Sequence, residues 1–235
     1  KKENKFLGIK INHDANQFGP VKSEFSGRSE NQIRLESRSF GRVNYWENTL
    51  GYKQFSNYYY GLPEIPSYVK LSDLKADYSR FSAEGKMSSV RKNVSSDYLL
   101  SVSGNHLRNS TDFSELIIKA HGLYAHNLSE KLRFKLGADY FFSEFVPDLN
   151  LQKWSRYLYR LNPHLSYKSS RVSLNAGFMF VTETDDPLVE KTSVFPMLQL
   201  DFGASDYIHL FGGIGGDVQF NSFQTFLQQN PWMRI

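Results

Sequence analysis

Apolar and polar residues alternate over one long stretch of this chain after another. Leu132, Phe134, Leu136, Ala138, Tyr140 and Phe142 are interleaved with Arg133, Lys135 and Asp139, and Lys131 stands just before them. A period of two sends successive side chains to opposite faces of a β-strand, so one face of this segment is apolar and the other charged. Leu116, Ile118, Ala120, Gly122 and Tyr124 alternate in the same way with Glu115, Ile117, Lys119 and His121. Tyr157, Tyr159, Leu161, Leu165 and Tyr167 alternate with Arg156, Arg160, Asn162 and His164. Val172, Leu174, Ala176, Phe178 and Phe180 oppose Ser173, Asn175 and Gly177. Weaker alternation runs over 5–14, 31–40, 42–57, 68–82, 98–103, 194–202 and 208–218, while 83–96 is polar and shows no pattern. The count comes to about eleven strands.

These runs are long. Several reach roughly ten residues, where globular strands average about five to six, and a tilted strand needs ~9–11 residues to cross a bilayer. The connections alternate in length. Tight turns are expected at Asn127–Glu130, Lys168–Arg171 and Gly203–Asp206, and longer loops near 143–153, 183–192 and 221–235. Membrane barrels have this arrangement, with short periplasmic turns and longer outer loops. Pro163 and Pro196 fall inside strand patterns, and each should mark a bulge, a strand start or an edge, because proline donates nothing to a ladder.

The architecture expected is all-β: an antiparallel transmembrane β-barrel forming a single domain over 1–235, with no plug domain visible. An odd strand count with free ends suggests truncation at both ends and further strands in a larger barrel. The lipid-facing set is Leu132, Phe134, Leu136, Leu174, Phe178 and Leu200, joined by Leu116, Ile118, Val172, Leu198, Ile208 and Leu210. A soluble sandwich or a lipocalin-like barrel shows the same alternation with its apolar face inward. Against it stands the number of Lys, Arg, Asp, Asn and His on the opposite face, too costly to bury in a dry core. Aromatics near strand ends, as at Tyr140–Phe142 and Tyr58–Tyr60, suit interfacial girdles.

Composition sharpens this picture. The chain has 235 residues, of which 15% are aromatic, with 19 Phe and 14 Tyr, yet its mean hydropathy is −0.48. Both hold if apolar residues are confined to one face of many strands. No apolar run approaches the ~18 residues of a spanning helix. There is no cysteine, which removes disulfides, thiolate metal sites and cysteine nucleophiles. The net charge of +4 is scattered singly, which speaks for a solvated lumen and loops and against a nucleic-acid partner.

Candidate chemistry is sparse. Gly212-Gly213-Ile214-Gly215-Gly216 lacks the Lys-Ser/Thr of a phosphate loop and reads as curvature or close packing in a strand. His121 and His126 fall on opposite faces if their strand continues, so they form no ligand pair. Glu183, Asp185, Asp186 and Glu190 make an acidic loop that would suit calcium or simply solvent. No serine sits in a nucleophile elbow. Neither a catalytic residue, a metal site nor a cofactor is expected, and the chain is not read as an enzyme. The functional candidates are basic: Lys131, Arg133 and Lys135, with Arg156 and Arg160 on the next strand, form a lumen-lining ladder. Such a ladder selects anionic solutes, unless Asp139, Glu115 and Glu144 neutralise it in a cross-strand network.

Six short segments carry a resemblance. Phe195-Pro196-Met197-Leu198-Gln199-Leu200 precedes Tyr207-Ile208-His209-Leu210-Phe211-Gly212-Gly213-Ile214-Gly215-Gly216, and then come Asn221-Ser222-Phe223 and Asn230-Pro231-Trp232. With Tyr58-Tyr59-Tyr60-Gly61 and Leu161-Asn162-Pro163-His164-Leu165 upstream, the chain resembles the barrel part of Bacteroidota TonB-dependent receptors. The resemblance implies an outer-membrane barrel, a receptor or transporter for an unknown cargo, with outer-membrane lipid and other envelope proteins as its partners. A plug and an energy-coupling box, which the family carries, are not seen in this sequence, so energised uptake is not implied. The alternative is a non-transporting scaffold that docks other proteins through its outer loops.

Overall fold

Long alternating segments become long strands. The computed structural model describes residues 4–16, 27–58, 75–90, 95–110, 113–147, 152–185, 189–205 and 207–230. Eleven strands follow in chain order: β1 (Asn4–Asn16), β2 (Arg28–Phe40), β3 (Asn44–Tyr58), β4 (Lys75–Ser89), β5 (Ser96–Asn109), β6 (Ser114–Asn127), β7 (Leu132–Val146), β8 (Trp154–Lys168), β9 (Val172–Asp185), β10 (Val189–Gly203) and β11 (His209–Ile214). A single helix, α1 (Phe223–Gln229), ends the described chain. Each strand pairs with the next, all antiparallel, in one sheet of order β1 to β11. Among the described residues no helix is long and apolar enough to cross a membrane.

The sheet is not closed into a barrel. β1 pairs only with β2, and β11 only with β10, over Leu198–Gly203. The all-β antiparallel sheet of eleven strands therefore stands as expected, and the closed cylinder is not seen.

Register separates two faces. Directly opposite residues share a face, so the pairs Leu107↔Glu115, Glu115↔Phe145, His121↔Asp139, Asp139↔Arg160 and Arg160↔Val181 define one of them. This polar face carries most of the charged side chains of the strands. The other carries Leu7, Ile9, Ile11, Leu50, Phe81, Val102, Leu161, Phe178, Leu198 and Leu210, each 40% exposed or more. The hydrophobic residues that are buried lie elsewhere. Ala76, Tyr78, Leu107, Ile117, Ala125, Leu158 and Val181 all belong to the polar face. A water-soluble sheet has the opposite distribution.

Beyond strands that run longer than expected, as β5 does to Asn109 and β7 to Val146, four segments differ from expectation. The strand expected over 68–82 is β4, Lys75–Ser89, and its last part is the stretch 83–89 that shows no pattern in sequence. Its apolar residues change sides: Ala76 and Tyr78 are buried on the polar face, whereas Phe81, Ala83 and Met87 take the apolar one. Leu74 lies outside the described residues. The loop expected over 183–192 is largely strand, because β9 continues to Asp185 and β10 begins at Val189. The last strand stops at Ile214 rather than near 218. The outer loop expected from 221 contains α1, which packs on the polar face; residues 231–235 and the aromatic loop 59–68 lie outside the described residues.

Each proline sits where one neighbouring strand leaves it unpaired, Pro163 in a local gap of the ladder and Pro196 past the end of one. The β8–β9 pairing runs to Leu161↔Phe180 and resumes at His164↔Gly177, skipping Asn162 and Pro163. Glycine at 177 lets the two backbones close over that gap: a Cβ there would clash with the Pro163 carbonyl oxygen and lie 2.7 Å from His164 Cα. Pro196 lies beyond the end of the β11 pairing at Leu198, so its missing N–H deprives no neighbour.

Candidate functional site

The polar face is the candidate site, because charged side chains converge there and a second layer of chain covers part of it. One straight row crosses seven strands by successive opposite pairs: Arg38, Glu47, Lys86, Ser101, His121, Asp139 and Arg160. Its charges alternate. Arg38 Nε lies 3.1 Å from Glu47 Oε1, and the Tyr45 hydroxyl donates to Glu47 Oε2 at 3.1 Å. His121 Nδ1 is 2.5 Å from Asp139 Oδ1, and Arg160 approaches Asp139 at 3.9 Å. Opposite charges directly across a ladder stabilise each other. The row is a mixed belt, not a ring of one sign.

The expected basic residues do share this face. Arg133 and Lys135 on β7 and Arg156 and Arg160 on β8 all lie on it, with Lys131 in the turn before β7. Acids meet the arginines. Arg133 bonds Asp97, Arg156 Nε lies 2.6 Å from Asp185 Oδ1, and Arg160 Nε lies 2.9 Å from Asp217 Oδ1. Among the described residues no ion pair is formed by Lys131 or Lys135. Of the three acids expected to neutralise the ladder, only Asp139 touches it. Glu144 lies on the opposite face of β7 and pairs with Lys153 at 2.9 Å, and Glu115 serves the helix.

The expected apolar set lies on the other face. Leu132, Phe134 and Leu136 on β7, Leu174 and Phe178 on β9 and Leu200 on β10 share it. Tilted aromatic pairs stud it, Tyr140–Tyr159 at 5.1 Å and Phe142–Tyr157 at 5.0 Å.

Residues 215–230 lie across the polar face. Arg160 donates to the Val218 carbonyl, Phe220 stacks on Phe141 at 5.5 Å, and Arg156 Nη1 donates to the Asn221 carbonyl at 3.0 Å. The chain then turns into α1. Ser222 caps it, its Oγ accepting from Thr225 N at 3.1 Å. The two preceding amides go to Glu115: Phe223 N donates to Oε1 at 2.9 Å and Gln224 N to Oε2 at 2.8 Å. A helix start leaves such donors without intrahelical partners, and a carboxylate more than a hundred residues away in sequence fills the need. Ser143 Oγ also donates to Glu115, at 3.3 Å. Beneath the helix, Leu227 packs with Ala76, Tyr78, Leu107 and Phe113, while Phe223 meets Phe113 edge-on at 4.5 Å.

Sequence reasoning missed this docked segment. Its local signals were Ser222 as a cap and the spacing of Phe223, Phe226 and Leu227, one side of a helical turn. Elsewhere the readings fare variously. His121 and His126 do lie on opposite faces of β6. Glu183 and Asp185 face one way and Glu190 the other, so the acidic loop is split, and Asp186 lies outside the described residues. Among the described residues no three His, Cys, Asp or Glu side chains gather as a metal site. Gly213 supports the close-packing reading of the glycine run, since a Cβ there would stand 2.9 Å from the Leu198 carbonyl oxygen.

Neither protein-family models nor curated proteins include a match to this chain.

Proposed function

We propose that this chain forms the wall of an outer-membrane β-barrel, of the kind its motifs suggest for Bacteroidota TonB-dependent receptors, which receives or passes a solute along its polar face. The carrying observation is the inverted sidedness: the apolar face is bare and the charged face holds the buried residues. Eleven strands at ~4.8 Å make a face about 50 Å wide. With an apolar band ~25 Å tall, the area exceeds ~1,000 Å², well above the few hundred that a water-soluble monomer exposes. At ~25 cal/mol per Å², covering it is worth on the order of 30 kcal/mol. Acyl chains supply that cover.

The strand lengths agree. β1 to β10 have 13–15 residues, which at ~3.4 Å per residue and a tilt of ~35–45° rise about 31–42 Å. That exceeds the apolar band and leaves both ends in the interface. On the polar face, cross-strand ion pairs and water satisfy the charges, as a wet lumen allows.

A second reading is favoured by residues 215–230, which take up part of the polar face. A barrel so occupied could serve as a scaffold that docks other envelope proteins and passes nothing. Conductance across planar bilayers separates the two, with the full chain and with 215–235 deleted. Flux in either form supports a path along the polar face. Silence in both removes transport and leaves the scaffold.

A further inference from the structure

Beside α1 the polar face holds a second charged cluster, unlike the mixed belt in its balance. Lys53 on β3 and Arg80 on β4 are directly opposite each other. Like charges in that position, with Cβ atoms ~4.5–5.5 Å apart, destabilise a sheet. Arg28 stands nearby on β2, and the three cations line one cavity of about 160 Å³ with Gln224, Leu227 and Gln228 of α1 as its roof. One carboxylate among the described residues answers them, and it is already engaged. Glu30 Oε2 lies 2.6 Å from Arg28 Nη2, and Glu30 Oε1 lies 2.6 Å from Lys53 Nζ. Among the described residues Arg80 has no salt bridge, and its Nε is enclosed without a hydrogen-bond partner. Two excess positive charges therefore face a partly covered cavity.

We propose that this cavity binds a compact oxyanion of the phosphate or sulfate class, either free or as the anionic end of a larger solute. A water molecule claims ~30 Å³, so the cavity has room for such a group and a few waters, not for a sugar or a nucleoside. Arg80 is the principal donor, because a guanidinium presents a planar fork of N–H groups that matches two oxyanion oxygens at once. Lys53 contributes charge, and the roof of α1 reduces the access of bulk water to the pair. Glu30 opposes the ligand while it holds Arg28 and Lys53 in place. A phosphate on a lipid headgroup approaches from the apolar side, so the site takes its anion from solution. The inference does not depend on the membrane reading, since the cavity lies on the polar face whatever covers the other.

The test is calorimetric titration of the folded chain in a nonionic detergent with inorganic phosphate at constant ionic strength, and with a short-chain phosphatidic acid as a second arm. Saturable binding of inorganic phosphate is expected. R80Q should weaken it at least about tenfold, and R80K, which keeps the charge and loses the fork, should fall between R80Q and the wild type. E30Q should tighten it, a sign that a merely structural role for Glu30 would not produce. Absence of saturable phosphate binding by the wild type overturns the proposal, as does R80Q binding like wild type with an unchanged circular-dichroism melt. If R80Q does not fold, E30Q decides: tighter binding supports the site, and unchanged or weaker binding overturns it. Binding of phosphatidic acid alone would overturn the assignment to a soluble anion.

Discussion

Leu161→Lys is the sharpest test of which solvent touches the apolar face. Leu161 is at the middle of β8, whose fifteen residues run from Trp154 to Lys168. It is 43% exposed and flanked by Ala138 and Phe180 on the same face. Seven residues on each side, at ~3.4 Å and a tilt near 40°, place it about 18 Å from either strand end. In a bilayer that is the midplane, where Lys costs about 2–4 kcal/mol. In water the same change at a part-exposed position stays within roughly 0.5 kcal/mol. Phe134→Lys provides the gradient. Phe134 is only the third residue of β7, about 5 Å from its end, so its charge sits near the interface and costs about 0–1 kcal/mol. Asn162→Lys, on the polar face, should be nearly neutral. Each Lys variant is read against Ala at the same site, which removes the lost apolar contact. Reversible urea unfolding in vesicles, followed by tryptophan fluorescence, supplies the free energies. Equal costs for Leu161→Lys, Phe134→Lys and Asn162→Lys would refute the lipid-facing assignment.

Other consequences are independent of that gradient. Glu115→Ala strips two amide acceptors from the start of α1, a loss of about 2–3 kcal/mol, and limited proteolysis between Gly215 and Ser222 should accelerate about a hundredfold; an unchanged rate would show that the carboxylate does not hold the helix. Gly177→Val drives a side chain into the Pro163 carbonyl and should cost about 1–3 kcal/mol in urea unfolding, whereas Gly212→Val, with nothing within 4 Å of its Cβ, should be tolerated; similar midpoints for the two would argue against the close approach at Pro163. Asp139→Asn removes one negative charge from the mixed belt, so bilayer recordings should show a reversal potential shifted toward anion preference if solute passes there; an unmoved potential in a conducting protein would put the path elsewhere.

How much of this was legible in the sequence depended on whether each strand kept its two faces distinct. β6 to β9 do so along most of their length, and their positions and pairing order follow from alternation alone. β4 does not: Ala76 and Tyr78 face α1 while Phe81, Ala83 and Met87 face the other way, so its pattern slips phase at Arg80 and its end was placed too early. The fit of Pro163 within β8 was unreadable for a related reason. What makes it tolerable is Gly177 on the neighbouring strand, a fact about register, not about local sequence. The helix was hidden because its start is only partly capped by local sequence: Ser222 serves one amide, and two others are satisfied by Glu115. The basic ladder was half legible: its residues share one face of the sheet, but the acids that meet it, Asp97, Asp185 and Asp217, become neighbours only through pairing and through the return of the chain over the sheet.

That return constrains how any solute could travel. The polar face changes character where α1 sits: Ala76, Tyr78, Leu107 and Phe113 form an apolar patch under Leu227, with Arg80 on one side of Leu107 and Glu115 on the other, so the sheet itself encodes the dock. Undocking would expose Leu227 and Phe223, worth about 1.5–3 kcal/mol each when fully buried, and would release the two amides held by Glu115. Even after discount for partial exposure, the sum is on the order of 5 kcal/mol, which leaves the free helix at roughly one molecule in several thousand. A gate that opened by thermal fluctuation would be shut nearly always. Residues 215–230 are therefore a fixed part of the polar face at rest, and only something with a stronger claim on Glu115, Arg156 and Arg160 than their present partners have could lift them. A solute path that does not displace them must run along the uncovered half of the belt, toward the Lys86 and Ser101 side, where no second layer is seen among the described residues.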